Sequence, residues 1–210
     1  MTELIRARHG ETEWNVEKIF RGRADVALDE IGIKQAELLG KYLSKWELEA
    51  IYSSPLKRAL DTANMIVPYQ KFGVCTAEGL TDFDYGEWQS LPQREVKRLY
   101  PDLLREWHNN PHKVRLPGGE NLEDVRGRAI EVVNDVLSRY RGSVVLVSHR
   151  VVLKVLTCSL LGLDNSHFWN ISQDVCGITI FDYAAGCFVL IRHNDTSHLR
   201  ELQKPLLDDF

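Results

Sequence analysis

Two short, bounded segments each end on a histidine: Leu4-Ile5-Arg6-Ala7-Arg8-His9 and Val144-Val145-Leu146-Val147-Ser148-His149. The second is rich in β-branched residues, as expected for a strand buried on both faces. Each histidine therefore falls where a central strand stops. In an open parallel sheet the carboxyl ends of the strands form the ligand crevice. Arg8 beside His9 makes that crevice cationic. Two imidazoles and a guanidinium together point to chemistry on a phosphate.

Composition narrows the setting. At 210 residues the chain is long enough for one core, and a single domain spanning 1–210 is expected. The net charge of −4 gives no global basic field for nucleic acid, and a local basic pocket suits a small anionic ligand better. The chain enters its first strand almost at once, and no apolar stretch is long enough to span a bilayer. No signal peptide and no membrane partner are expected, and the reading is cytoplasmic. Cys75, Cys158, Cys176 and Cys187 form no CxxC pair and read as reduced, mostly buried thiols.

The order of elements is legible along the chain. A strand at Leu4–Ala7 leads into a long loop over 10–28 that holds Gly10, Asn15, Arg21 and Gly22. A helix is predicted from Glu30 to Trp46 and a strand at Ala50–Ser53. Ser54-Pro55 then reads as an N-cap with proline in the first turn of a helix running to Val67. Val74–Thr76 is an edge strand. Residues 78–120 read as loop and short helix, a rim or lid insertion punctuated by Pro92, Pro101, Pro111 and Pro117. Asn121 to Tyr140 is the clearest amphipathic helix, with Leu122, Val125, Ala129, Val133 and Val136 on one face. The Val144–Val147 strand, a helix over Val151–Leu161 and a hairpin of two late strands complete the chain. Strands alternating with helices imply an α/β fold, a three-layer α/β/α sandwich whose mostly parallel central sheet has an antiparallel edge.

Three strand exits converge on this reading: Arg8-His9, Ser53 to Arg58, and Ser148-His149. Guanidinium forks serve a phosphate dianion, and a neutral imidazole is a competent nucleophile toward phosphorus. Taken singly, each residue has a blander role: a packing histidine, a solvated helix arginine, a loop asparagine. His108 and His112 are separated by Pro111, which spoils the i,i+4 geometry of a helical metal pair, so no metal site is expected.

Arg8-His9-Gly10-Glu11-Thr12, followed by Trp14-Asn15, resembles the signature of the histidine phosphatase superfamily, the group of cofactor-dependent phosphoglycerate mutases and their phosphatase relatives. Gly32…Gln35-Ala36, Tyr52-Ser53-Ser54-Pro55-Leu56-Lys57-Arg58-Ala59…Thr62-Ala63, Asp84-Tyr85-Gly86-Glu87-Trp88, Pro117-Gly118-Gly119-Glu120-Asn121 and Val147-Ser148-His149 follow in the family's order. The resemblance implies a phosphoglycerate mutase-like fold and metal-free chemistry without a cofactor. It makes His9 the nucleophile that becomes phosphohistidine, with Arg8, Arg58 and His149 completing the phosphate pocket. Asn15 and the Arg21-Gly22 loop would close over the phosphate.

The chain departs from the family at two positions. Where relatives carry a catalytic glutamate it has Asp82, whose carboxyl sits about 1.5 Å closer to the backbone. An aspartate can donate a proton to the departing alkoxide only if its loop brings it nearer, and an apolar setting beside Phe83 or Trp88 would keep it protonated. Arg150 follows His149 where many relatives have glycine. Its side chain either adds charge to the pocket or turns away into a salt bridge. Tyr85 and the aromatic and basic residues of the 85–115 rim would contact substrate. Dedicated mutases share a longer basic insertion after the Gly-x-Trp block, and the compact 89–117 segment lacks it. The expected activity is therefore a phosphomonoesterase acting on a small phosphorylated metabolite such as phosphoserine, a phosphoglycerate or α-ribazole phosphate. A phosphoglycerate mutase and a non-catalytic phospho-ligand binding domain are the alternatives, and a homodimer is compatible with either.

Overall fold

Alternation along the first strand decides the layering. In a computed structural model describing residues 1–202, β1 (Thr2–Arg8) sends Leu4 into one core and Ile5 and Ala7 into another. β1 lies inside a six-stranded sheet with β2 (Leu48–Ser53), β3 (Val74–Thr76), β4 (Ser143–Ser148), β5 (Ile178–Ala184) and β6 (Cys187–Asp195), in the order β3-β2-β4-β1-β5-β6. The pairs β1–β4, β4–β2 and β2–β3 are parallel, and β5 runs antiparallel to both β1 and β6. The late hairpin thus supplies the antiparallel edge that the sequence predicts.

Both faces are covered. The intervening helices are α1 (Glu13–Val16), α2 (Glu30–Leu43), α3 (Lys57–Asn64), α4 (Gln93–Leu99), α5 (Pro101–Asn109), α6 (Leu122–Arg139) and α7 (Arg150–Leu160). Leu39 and Leu43 of α2 and Ala59 and Ala63 of α3 pack on Ile5, Ile51, Val145 and Val147. On the opposite face Val125, Ala129 and Val133 of α6 and Val152 and Val155 of α7 pack on Leu4, Ala50, Val144 and Leu146. Burial of both faces explains why β4 reads as an unbroken apolar run. The start of α6 is set by a reciprocal cap: Asp124 N–H donates to Asn121 Oδ1 at 2.9 Å, and Asn121 N–H donates to Asp124 Oδ2 at 3.0 Å.

Four expectations need correction. The 10–28 segment is not all loop, because Thr12 to Val16 turn into the short α1. α2 stops at Leu43, three residues before Trp46. α3 begins at Lys57, so Ser54 is not its N-cap; the chain is still extended at Leu56. Only Cys158 and Cys176 are buried, whereas Cys75 and Cys187 are exposed; all four are free thiols.

One contact ties the fold to the site. The backbone that follows His9 lies directly against the first turn of α2, with Glu11 N–H donating to Gln35 Oε1 at 2.8 Å and Asp29 N–H to Glu11 O at 3.1 Å. A Cβ on Gly10 would overlap the Gly32 carbonyl, and one on Gly32 would overlap the backbone of Glu11. Neither overlap is with a side chain that can swing aside. Gly32→Ala is expected to cost about 3 kcal/mol, the upper range for overpacking, read as a lower urea midpoint at unchanged slope. An unaltered midpoint would contradict this account of the contact.

Candidate active site

The strand ends β1, β2 and β4 do converge. Arg8, His9, Ser54, Arg58 and His149 are all fully buried, and the His9 and His149 rings lie 5.2 Å apart between centroids, tilted by 56°. Asp82, Asn15, Arg21 and Tyr85 are almost as buried. Ser148 Oγ holds the Asp82 loop over the sheet by donating to Leu80 O at 2.7 Å.

The two imidazoles are oriented in complementary ways. His9 Nδ1 lies 2.6 Å from the Gly10 carbonyl. A carbonyl only accepts, so Nδ1 carries the proton and Nε2 carries the lone pair. Nε2 is buried and has no hydrogen-bond partner among the described residues. His149 Nε2 lies 2.7 Å from Ser54 Oγ, which already accepts the Leu56 N–H at 3.3 Å. When the Ser54 hydroxyl proton goes to Nε2, the His149 proton stays on Nδ1. That nitrogen is also buried without a partner, 3.6 Å from Asp82 Oδ2. The cluster thus sets a nucleophilic lone pair opposite an N–H donor. Ser54 is the functional residue that sequence reasoning misread as a helix cap. Its signal was present in position only, as the second residue past the end of β2's apolar run.

Arg58 joins three parts of the site. One terminal nitrogen donates to Asp82 Oδ2 at 2.9 Å and to the Gly22 carbonyl at 2.8 Å, and the other donates to the Ala24 carbonyl at 2.8 Å. The Arg21-Gly22 segment is therefore drawn over the pocket by its backbone, and Gly22 takes the left-handed φ of 51° that this path needs. Burial lowers the Arg58 pKa, and Asp82 opposes that effect. Arg8 donates to the Gln173 carbonyl at 2.9 Å. Thr62, a motif residue without an assigned role in the sequence, accepts the Gly10 N–H at 3.1 Å and holds the His9 loop. Asn15 Oδ1 accepts from the Thr12 N–H at 3.1 Å and the Thr12 hydroxyl at 2.9 Å, so only its amide nitrogen can donate to an anion.

Asp82 does not sit in the apolar setting expected beside Phe83 and Trp88. Its oxygens meet the Phe83 N–H at 2.9 Å and Arg58. Its loop is carried inward by Arg128 of α6, which donates to the Gly79 and Asp82 carbonyls at 2.9 and 3.1 Å. Arg128 is held in turn by Glu120 at 2.9 Å. Asp84 serves the turn, accepting the Gly86 N–H at 2.9 Å. A small cleft beside Asp82 has a volume of about 20 Å³, and Arg21, Asp82, Tyr85 and Arg150 line it with Ile19, Phe20 and Val151. Arg150 lines this cleft, and its guanidinium lies over the Trp169 ring at 5.8 Å from the centroid.

Both site histidines are held neutral. Burial, with Arg58, Arg8 and Arg21 adding to it, pushes His9 well below the usual histidine range. Burial and then Arg58 do the same for His149. The unfolded chain protonates these rings near their ordinary pKa, while the folded chain does not. Below that pH the unfolded state binds more protons, so stability present above it is lost as the pH falls. Each ring adds about 1.4 kcal/mol per pH unit to that slope. His9→Gln is therefore expected to flatten the stability profile between pH 6 and 5 by about one proton's worth, measured by urea unfolding. An unchanged slope would show that His9 is charged in the fold.

The chain is 38% identical over 202 residues to phosphoserine phosphatase 1 of Hydrogenobacter thermophilus, covering 96% of each. It superimposes on Bacillus stearothermophilus YhfR with a TM-score of 0.91 at 33% identity, covering 95% of this chain and 100% of that one. It also superimposes on the mycobacterial glucosyl-3-phosphoglycerate phosphatase Rv2419c, in complex with VO3, with a TM-score of 0.87 at 26% identity, covering 92% and 99%. Residues 4–196 match the sequence profile of the histidine phosphatase superfamily (branch 1), and the chain belongs to that family.

Proposed function

We propose that the protein is a phosphomonoesterase that acts on a small phosphorylated metabolite through a phosphohistidine at His9. The observation that carries this is the buried, partnerless Nε2 of a neutral His9, set among three guanidiniums. Nε2 attacks phosphorus and the ester P–O bond breaks. Asp82, which is paired with Arg58 in the free pocket, takes up a proton as the phosphate engages that guanidinium and gives it to the departing alkoxide oxygen. In the second half Asp82 takes a proton from water, whose oxygen attacks phosphorus. The P–N bond breaks and inorganic phosphate leaves. His149 Nδ1–H, Arg8 and Arg58 stabilise the equatorial oxygens, the service that metal ions perform at other phosphoryl-transfer sites.

Asn15, Arg21, Gly22, Tyr85 and Arg150 form the substrate-binding wall, and residues 78–120 supply its rim. The phosphoserine phosphatase relative supports an ester of a small alcohol as substrate. The compact rim, with α4, α5 and a 3-10 turn at Pro111–Lys113 between Gln89 and Pro117, favours hydrolysis over mutase activity.

The acid role of Asp82 is tested with leaving groups. Asp82→Asn is expected to slow an alkyl phosphate by roughly 100-fold or more and 4-nitrophenyl phosphate far less, because only the alkoxide needs a proton. Initial rates with the chelator EDTA present should match those without it. Equal losses on both esters would remove Asp82 from the acid role.

A further inference from the structure

The late hairpin reaches back to the pocket through one side chain. Between the pairs Ile180–Arg192 and Ile178–Asp195, the single Thr179 of β5 faces two residues of β6, His193 and Asn194. Such a bulge re-aims the side chain it displaces. Asn194 takes a left-handed φ of 48° there, which asparagine tolerates better than most residues, and its N–H donates to Thr179 Oγ1 at 3.1 Å. Its amide group crosses to the loop at 172–177. Oδ1 accepts the Asp174 N–H at 2.8 Å, and Nδ2 donates to Asp174 Oδ2 at 2.5 Å and to Ser172 Oγ at 3.3 Å. The approach is close, since a Cβ on Gly177 would overlap Asn194 Oδ1.

That loop holds the end of β1. Gln173 O accepts from Arg8 at 2.9 Å, and the Cys176 N–H donates to the His9 carbonyl at 3.3 Å. The loop also closes on itself: Gln173 Nε2 donates to Gly177 O at 3.0 Å, and the Gly177 N–H donates to Asp174 O at 3.1 Å. Asp174, gripped by Asn194, is therefore in one tight unit with the two groups that touch Arg8 and His9. We propose that Asn194 is a positioning residue for phosphoryl transfer: by fixing this loop it sets the Arg8 guanidinium against the His9 nucleophile. This rests on the phosphatase reading above and adds to it a residue that touches no substrate.

Exchanging the two partners tests the role. Asn194→Asp keeps an acceptor for the Asp174 N–H and a residue tolerant of the left-handed backbone, but it faces one carboxylate with another. The double variant Asn194→Asp/Asp174→Asn again opposes one amide donor to one carboxylate. kcat/KM on 4-nitrophenyl phosphate, the inhibition constant of inorganic phosphate and the urea midpoint are measured for each, with rates taken where the protein is fully folded. Asn194→Asp is expected to lower kcat/KM by about 10- to 100-fold, the scale of a small misplacement at a reacting centre, and to weaken phosphate inhibition. The double variant should recover most of both. Asn194→Gly, which keeps the backbone path and adds no charge, should show the same two losses if Asn194→Asp does not fold. A lower urea midpoint with unchanged kcat/KM and phosphate inhibition would mean a merely structural residue and overturn the proposal. Losses that the double variant leaves unrepaired would overturn it as well. Either result, with an active wild type, leaves the phosphatase reading intact. A wild type inactive on the aryl ester ends that reading, and phosphate affinity by calorimetry on the same variants then decides the positioning role.

Discussion

The hydrogen bond between His9 Nδ1 and the Gly10 carbonyl, 2.6 Å long, is the constraint on which the site depends. It locks the ring tautomer, and with it the place of the lone pair. The bond in turn depends on the backbone at Gly10, which is held by Thr62 on one side and pressed onto Gly32 on the other. Burial first, and then the guanidiniums of Arg58, Arg8 and Arg21, oppose protonation of the His9 ring. The pocket is thus prepared for an anion before one arrives, and little reorganisation is needed when charge develops on phosphorus.

The shorter acid follows from the same economy of anchoring. Asp82 reaches His149 because Arg128 grips the carbonyls of its loop from α6 and Ser148 fastens Leu80 to the sheet. An aspartate is one methylene shorter than the glutamate expected from the resemblance, and Asp82 Oδ2 lies 3.6 Å from His149 Nδ1. Arg58 then couples this acid to the carbonyls of Gly22 and Ala24. Asp82 and the backbone of the covering segment therefore share one guanidinium.

Much of this was legible in the residues. The β4 run and the α6 stripe announce themselves because burial on two faces and on one face leave different apolar periods. The convergence of His9, Arg58 and His149 followed from three strands ending on the same side of a parallel sheet. What stayed hidden depends on tertiary partners. Ser54-Pro55 carries the local chemistry of a helix start, yet the chain remains extended to Leu56 because the Ser54 hydroxyl is drawn to a histidine 95 residues away. The surroundings of Asp82 were misjudged for a similar reason. Phe83 and Trp88 are its neighbours in sequence, and Arg58 is its neighbour in space. The Arg150 guanidinium lies over Trp169, a pairing that no local pattern shows.

The central claim is that the lone pair at the pocket floor belongs to His9 Nε2. It is tested most directly by trapping the phosphoenzyme with a radiolabelled phosphomonoester, isolating the labelled peptide under alkaline conditions and assigning the phosphorylated ring nitrogen by NMR. The account predicts phosphate on Nε2 of His9 alone. Phosphate on Nδ1, or on His149, would contradict it.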